Sequence, residues 1–330
     1  MIVQNNGVLM KALVTGATGF IGSHLVDELI KKGYEVACLV RKTSSLKWIE
    51  GLDVAVLYGD CEDEESLRDI PSDAQYIFHL AGLTKARKDE DFFCVNVKGT
   101  ENLLKAVSAG IPRLKRFVYL SSLSATGPSK NGTPVNETSE PRPVSSYGRS
   151  KLEGEGVVAR YRDGIPTTII RPPAVYGPRD KDFYVLFKML KKGFYPYWGK
   201  CYYSLLYVDD LVKGLIMAAE GKETEGGTYF LSDGKVYSNE DIVNEISNVL
   251  EAKIVKLRIP KPLISVLVSI SEKMGKESSI INRDKLKELN CFHWVCNSSK
   301  AEKDFRFTPK VTIKEGIKWT ADWYRIHQWL

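Results

Sequence analysis

The first 170 residues alternate short β-branched apolar runs with longer stretches in which apolar side chains recur every three or four positions. That alternation predicts strands and helices in turn, as in a parallel sheet covered on both faces. Six runs read as strands: KALVTG from Lys11, YEVACLV from Tyr34, DVAVLYG from Asp53, AQYIFHL from Ala74, RFVYLSS from Arg116 and TTIIR from Thr167. Helical periodicity falls between them, near Ile21 to Lys32, Glu64 to Asp69, Asp89 to Ala109 and Tyr147 to Tyr161. Right-handed crossovers would distribute these helices over both faces. The expected fold class is α/β: a doubly wound parallel sheet with a smaller, interleaved C-terminal domain.

The pattern changes after Arg171. Pro172, Pro173 and Pro178 precede an aromatic cluster of Phe194, Tyr195, Tyr197, Trp198, Tyr202, Tyr203 and Tyr207, which predicts a segment that leaves the sheet. A helix from near Asp209 and a strand at Thr228 to Leu231 would return to it, before helices near Asn239 to Leu250 and Pro262 to Lys273. The expected division is one domain of residues 10–171 and about 203–231, and a second of about 172–202 and 232–330. Residues 1–9 read as an N-terminal extension before a start at Met10.

Composition narrows the class of protein. The chain has 330 residues, 43% hydrophobic and 27% charged, which suits an ordinary globular enzyme. Its 47 basic and 41 acidic residues are interspersed, so the net charge of +6 predicts no nucleic-acid partner. The six cysteines form no CxxC pair and match no zinc spacing, so a metal site is not expected and a reducing, cytoplasmic location is. The apolar stretch from Leu263 to Ile270 is far shorter than the ~20 residues that span a bilayer.

Two local patterns carry chemistry. Gly16, Gly19 and Gly22 in TGATGFIG follow an apolar strand and open a helix. A sharp turn, close backbone approach to a diphosphate and helix N–H groups facing the anion all require that arrangement, so a Rossmann-type dinucleotide site is expected. At the end of the second strand stand Arg41 and Lys42 rather than an acidic residue, with Lys47 expected to fold back from a following helix. Positive charge there favours NADP(H) over NAD(H).

The second pattern is YGRSK, which sets Tyr147 and Lys151 on one helix face. Tyrosine ionises near pH ~10, and an ammonium beside it favours the phenolate; at ~4 Å the attraction is about 4 kcal/mol for an effective dielectric of 20. The preceding strand ends in Ser121 and Ser122, whose hydroxyls are expected to face a substrate oxygen at the carboxyl edge of the sheet.

With TGATGFIG, Gly59-Asp60, HLAG, VNVKGT, SSLSATG, YGRSK, RPPAVYGP and YVDD in this order, the chain resembles the extended short-chain dehydrogenases/reductases over almost its whole length. That family holds nucleotide-sugar epimerases and dehydratases, and this chain is nearest to dihydroflavonol reductase-like and 3β-hydroxysteroid dehydrogenase-like members. The resemblance implies Ser122 as the hydroxyl that polarises the substrate oxygen, Tyr147 as proton donor or acceptor, and Lys151 as pKa modifier and nicotinamide-ribose ligand. It implies cofactor contacts at Gly16, Thr18, Gly19, Phe20, Ile21, Gly22, Arg41, Lys47, Asp60 and Cys61, at Leu80, Ala81 and Gly82, and at Pro172 and Pro173. Asn96 and Asp209 are expected to be structural. By analogy, the helices near Asp89 to Ala109 and Tyr147 to Tyr161 would pair two copies as a homodimer.

The expected activity is hydride transfer between the nicotinamide and a carbonyl or hydroxyl carbon of a small molecule; the aromatic cluster suits an apolar or aromatic substrate, with ordinary core packing an equal expectation for most of its rings. The alternative is a nucleotide-sugar epimerase or dehydratase that reduces its cofactor transiently. A third reading, a cofactor-sensing protein without turnover, sits poorly with an intact serine, tyrosine and lysine. Thr126, where many relatives carry tyrosine, and Pro173-Ala174, where many nucleotide-sugar enzymes carry asparagine, depart from the epimerase pattern. Leu123 and Ser124 replace the acidic partners a dehydratase would want.

Overall fold

The computed structural model describes residues 9–260 and 283–330. The expected helix near Pro262 to Lys273 and the apolar stretch from Leu263 lie outside the described residues.

All six expected strands form: β1 (Lys11–Thr15), β2 (Glu35–Val40), β3 (Val54–Tyr58), β4 (Tyr76–His79), β5 (Arg116–Leu120) and β6 (Thr167–Arg171). Further along the chain come β7 (Ala174–Tyr176), β8 (Phe194–Tyr197), β9 (Tyr202–Tyr203), β10 (Leu205–Tyr207), β11 (Thr228–Phe230), β12 (Tyr237–Ser238), β13 (Val255–Arg258) and β14 (His293–Trp294). Seven strands make one parallel sheet in the order β11-β6-β5-β4-β1-β2-β3. Strand order reverses at β1, which lies between β2 and β4, so a crevice opens where chain connections diverge. Thr15 pairs with both Leu39 and His79, and His79 with Tyr119, which brings the carboxyl ends of these strands to one edge.

Alternating side chains on β1 serve two cores. Val14 packs with Leu25 and Leu29 of the helix Phe20–Lys31 and Leu211 and Leu215 of the helix Val208–Glu220. Leu13 packs with Leu103 and Val107 of the helix Gly99–Gly110 and Val157 and Val158 of the helix Ser146–Arg160 on the other face. A strand buried on both faces must be apolar throughout, which explains its unbroken sequence.

The segment after Arg171 leaves the sheet as expected. There, β7 pairs with β10, β8 with β13, and β9 lies between β12 and β14. Tyr176, Phe187, Tyr195, Tyr207 and Tyr324 form a separate core beneath these small sheets, and β11 then returns to pair with β6. Among the described residues, no helix is long and apolar enough to cross a membrane.

Three local expectations need correction. The single helix near Asp89 to Ala109 is instead an α-turn at Asp89–Phe93, a π-segment at Cys94–Lys98 and the helix Gly99–Gly110. The wider π-turn lets Asn96 reach inward, where Oδ1 accepts from the Leu83 amide at 2.7 Å and Nδ2 donates to Ser150 Oγ at 2.9 Å. Glu64 to Asp69 forms only a 3-10 turn, Glu64–Leu67, capped by the Asp63 side chain. After β2 the chain runs through turns, with no helix to return Lys47.

Candidate active site

The glycine turn after β1 is shaped by close approach. Gly16 has φ +72°, and a Cβ there would lie 2.7 Å from Leu80 C and Ala81 N at the end of β4. A Cβ on Gly22 would stand 2.0 Å from Gly16 O. The helix Phe20–Lys31 that follows has no side-chain cap and no acidic residue in its first turn, so its leading amides face outward beside a positive dipole end. That donor set fits a dinucleotide diphosphate. The strand edges complete the cradle: Ala81 N donates to Thr15 Oγ1 at 3.1 Å, and Gly82 lies beside Asn96 and Lys151.

The loop after β3, which carries Asp60 and Cys61, is held by hydrogen bonds from within it and from Asn102. The Cys61 carbonyl accepts from Asn102, Asp60 Oδ1 accepts from the Glu62 amide, and burial pushes the Cys61 thiol up to about 12 while Arg41 opposes that rise. Arg41 is exposed next to this loop. Lys47 instead lies over the Trp48 ring, 4.6 Å from its centroid.

At the carboxyl edge of the sheet, Ser122 and Tyr147 line a cavity of about 240 Å³ with Thr84, Lys85, Phe92, Leu123, Ser124, Pro173, Ala174, Asp182, Tyr203, Asp284, Glu288, Leu289 and Trp294. Of the aromatic cluster at 194–207, only Tyr203 is on that wall. Ser121 is not there either: it is buried and donates to Glu155 Oε1 at 2.5 Å, because consecutive residues leave a strand on opposite sides.

That glutamate is the centre of a buried network. Arg171 Nε and Nη2 bind the two Glu155 oxygens at 2.8 and 2.5 Å, while Arg171 Nη1 donates to Thr126 Oγ1 at 2.9 Å. Glu155 stands one turn beyond Lys151, Ser121 precedes Ser122, and Arg171 precedes Pro172. One carboxylate therefore ties together three elements that meet at the site, and Thr126 is held to them through Arg171.

The ionisation expected of the tyrosine–lysine pair is reversed. Burial pushes the Tyr147 hydroxyl up to about 12; hydrogen bonding with Ser122 opposes this and the Glu288 charge adds to it. Burial also lowers the Lys151 ammonium to about 7 against the pull of Glu155, and its Nζ lies 4.3 Å from the Tyr119 ring centroid. Desolvation of both groups outweighs the attraction their spacing suggested. Asp209 pairs with His24 at 3.5 Å, away from the residues that line the cavity.

Asp284, Glu288 and Trp294 were absent from the sequence-based set. They approach the site from more than 130 positions beyond Tyr147, and no local motif surrounds them.

The glycine turn, the seven-stranded parallel sheet and the Ser122, Tyr147 and Lys151 placement define a class of nucleotide-dependent oxidoreductases. Residues 12–231 match the family described as NAD dependent epimerase/dehydratase family, and the chain belongs to it. It is an enzyme of the extended short-chain dehydrogenase/reductase type. The chain is 30% identical to ceramide reductase of Caulobacter vibrioides, over 96% of this chain and 95% of that protein. It is 26% identical to 4-hydroxy-2-methyl-3-oxo-4-farnesyl-3,4-dihydroquinoline-1-oxide ketoreductase of Stigmatella aurantiaca, over 93% of this chain and 95% of that protein. Among solved structures, UDP-glucose 4-epimerase of Thermotoga maritima is similar in fold, with a TM-score of 0.81 and 23% identity over 97% of this chain and 100% of that one.

Proposed function

We propose that this enzyme is an NADP(H)-preferring reductase of a ketone on a largely apolar molecule. The observation that carries the reading is the cavity in which the Ser122 and Tyr147 hydroxyls meet Phe92, Leu123, Pro173, Leu289 and Trp294. Two hydroxyls beside this apolar part of the wall suit a carbonyl oxygen presented by an apolar body, while Lys85, Asp182, Asp284 and Glu288 supply charge elsewhere on the lining. The relatives named for ceramide and for a farnesylated quinoline point to the same class of substrate.

A bound nicotinamide dinucleotide supplies the hydride. The chain's own residues do the rest. Ser122 donates a hydrogen bond to the substrate oxygen and so draws charge from the carbonyl carbon. Tyr147, held protonated by its high pKa, gives its proton to that oxygen as the alcohol forms. Lys151, beside Gly82, would hold the nicotinamide ribose and, when charged, stabilise the phenolate left on Tyr147. Leu80, Ala81 and Gly82 would line the cofactor with backbone, and Pro172 and Pro173 would border its nicotinamide and help to exclude water. Residues 10–171 and about 203–231 serve the cofactor, and the remainder supplies the substrate wall through Pro173, Asp182, Glu288 and Trp294.

Arg41, exposed beside the Asp60–Cys61 loop, is the basis of the NADP(H) preference. The six free thiols suit a reducing cytoplasm, and the packed helices Gly99–Gly110 and Ser146–Arg160 offer the surface for a homodimer. A panel of aliphatic 3-oxo esters, steroid and aromatic ketones and UDP-sugars, assayed with NADPH and NADH, tests the assignment. Stoichiometric NADPH oxidation with an apolar ketone is expected. Conversion of a UDP-sugar without net oxidation would replace the reductase by the epimerase reading, and much tighter NADH binding would reverse the cofactor preference.

A further inference from the structure

The helix Arg283–Leu289 comes from the far part of the chain and closes on the start of the helix that carries Tyr147. Asp284 is buried, and its Oδ1 accepts from the Ser146 amide at 2.6 Å while its Oδ2 accepts from the Tyr147 amide at 3.0 Å. One turn later, Glu288 Oε1 accepts from Ser145 Oγ at 2.9 Å and from Ser124 Oγ at 3.1 Å. Ser145 Oγ accepts from the Gly148 amide at 3.0 Å, and the Ser124 amide donates to Ser122 Oγ at 3.1 Å. The two carboxylates therefore reach the backbone of Tyr147 on one side and the neighbour of Ser122 on the other.

We propose that Asp284 and Glu288 are positioning residues for the proton-transfer pair: this one helix sets Tyr147 against Ser122 while its own side chains form part of the substrate wall. The inference rests on the role given above to Tyr147. The Ser145 side chain already caps this helix, and the Asp284 carboxylate adds bonds to the Ser146 and Tyr147 amides beyond that cap. Here a second one, four residues away, holds the serine loop, and both line the cavity with Leu289. Whatever fills the cavity presses on the element that aligns the two hydroxyls, which couples substrate fit to turnover. Proton transfer is sensitive to this alignment, since a misplacement of about 1 Å can lower a rate ~100-fold.

Charged groups around Tyr147 come from several elements: Asp284 and Glu288 from this helix, Lys151 from its own, and Lys85 and Asp182 from elsewhere on the cavity lining. Removing the Glu288 charge eases phenol ionisation, because that carboxylate holds the Tyr147 pKa up. The test compares Asp284→Asn, Asp284→Ala and Glu288→Gln with the unaltered protein. Thermal melting and NADPH titration establish folding and cofactor affinity. Turnover is measured with the fastest ketone of the panel, and phenolate absorbance, taken as the difference from Tyr147→Phe, reports Tyr147 ionisation without any substrate.

The expected result is a fall of at least ~10-fold in kcat for Asp284→Ala, with NADPH affinity changed by less than about twofold. For Glu288→Gln the Tyr147 titration moves to lower pH, and the high-pH limb of ketone reduction moves with it. Unchanged kcat and titration in folded variants would overturn the proposal. Parallel loss of kcat, melting temperature and NADPH affinity would also overturn it, marking the pair as a structural cap alone. Full activity in Tyr147→Phe would instead remove the underlying assignment.

Discussion

Tyr147 and Lys151 share a helix face, but their surroundings set their chemistry more than their spacing does. Lys151 is buried against the Tyr119 ring with its ammonium lowered to about 7, so folding favours the neutral amine over much of the physiological range. The sign of the consequence is opposite to that of a salt-bridged lysine. The unfolded chain holds this proton up to pH ~10.4, whereas the folded one releases it near 7, so stability is lost as pH falls through that interval. Lys151→Met is expected to raise stability at pH 7 by on the order of 4 kcal/mol, with the gain shrinking toward pH 10, while turnover is lost. Urea denaturation at several pH values checks it; a variant less stable than the parent at pH 7 would contradict the assignment. The motif made these two residues legible as a pair. Their protonation was not legible, because it depends on burial among Tyr119, Glu155 and Glu288, which the motif does not contain.

At the level of elements, turns were the most readable features and breaks in helices the least. The glycine turn could be recognised because its backbone demands are local, and Gly16 illustrates them: φ of +72° and no room for a Cβ against Leu80 and Ala81. Gly16→Ala is expected to lower stability by about 1 kcal/mol or more and weaken NADPH binding at least ~10-fold, measured by melting and by fluorescence titration. Binding unchanged in the folded variant would show that the turn does not cradle the cofactor. The π-segment at Cys94–Lys98 gave no such signal, since its apolar periodicity continues that of the flanking helices. It exists because Asn96 finds partners on Leu83 and Ser150, which only the assembled sheet brings near. The aromatic cluster at 194–207 was compatible with a substrate wall or with core packing; most of its rings pack into their own core, and of the cluster Tyr203 alone reaches the cavity.

For the molecule as a whole, a histidine buried beneath the site contributes to the response to acid. His79 lies between Thr15 Oγ1 at 2.7 Å and Thr100 Oγ1 at 3.0 Å, and burial, with the nearby Lys151 charge, lowers it to about 3. The unfolded chain takes up this proton below pH ~6.5 and the folded chain does not, so stability falls as pH drops from about 6.5 toward 3, by up to ~1.4 kcal/mol per pH unit from this group. Urea melts across that range are expected to show the slope, reduced in His79→Gln; an equal slope in the variant would assign it to other groups. The sequence by itself determined the alternation of strands and helices along the chain, the glycine turn after β1 and the shared helix face of Tyr147 and Lys151, because period, glycine geometry and short spacing act between near neighbours. Only the tertiary structure decided the cavity wall, the Glu155–Arg171 network, the hold of Asp284 and Glu288 on the Tyr147 helix and the ionisation of the buried groups. Those depend on which residues are excluded from water together, and exclusion is a property of the packed chain rather than of any segment within it.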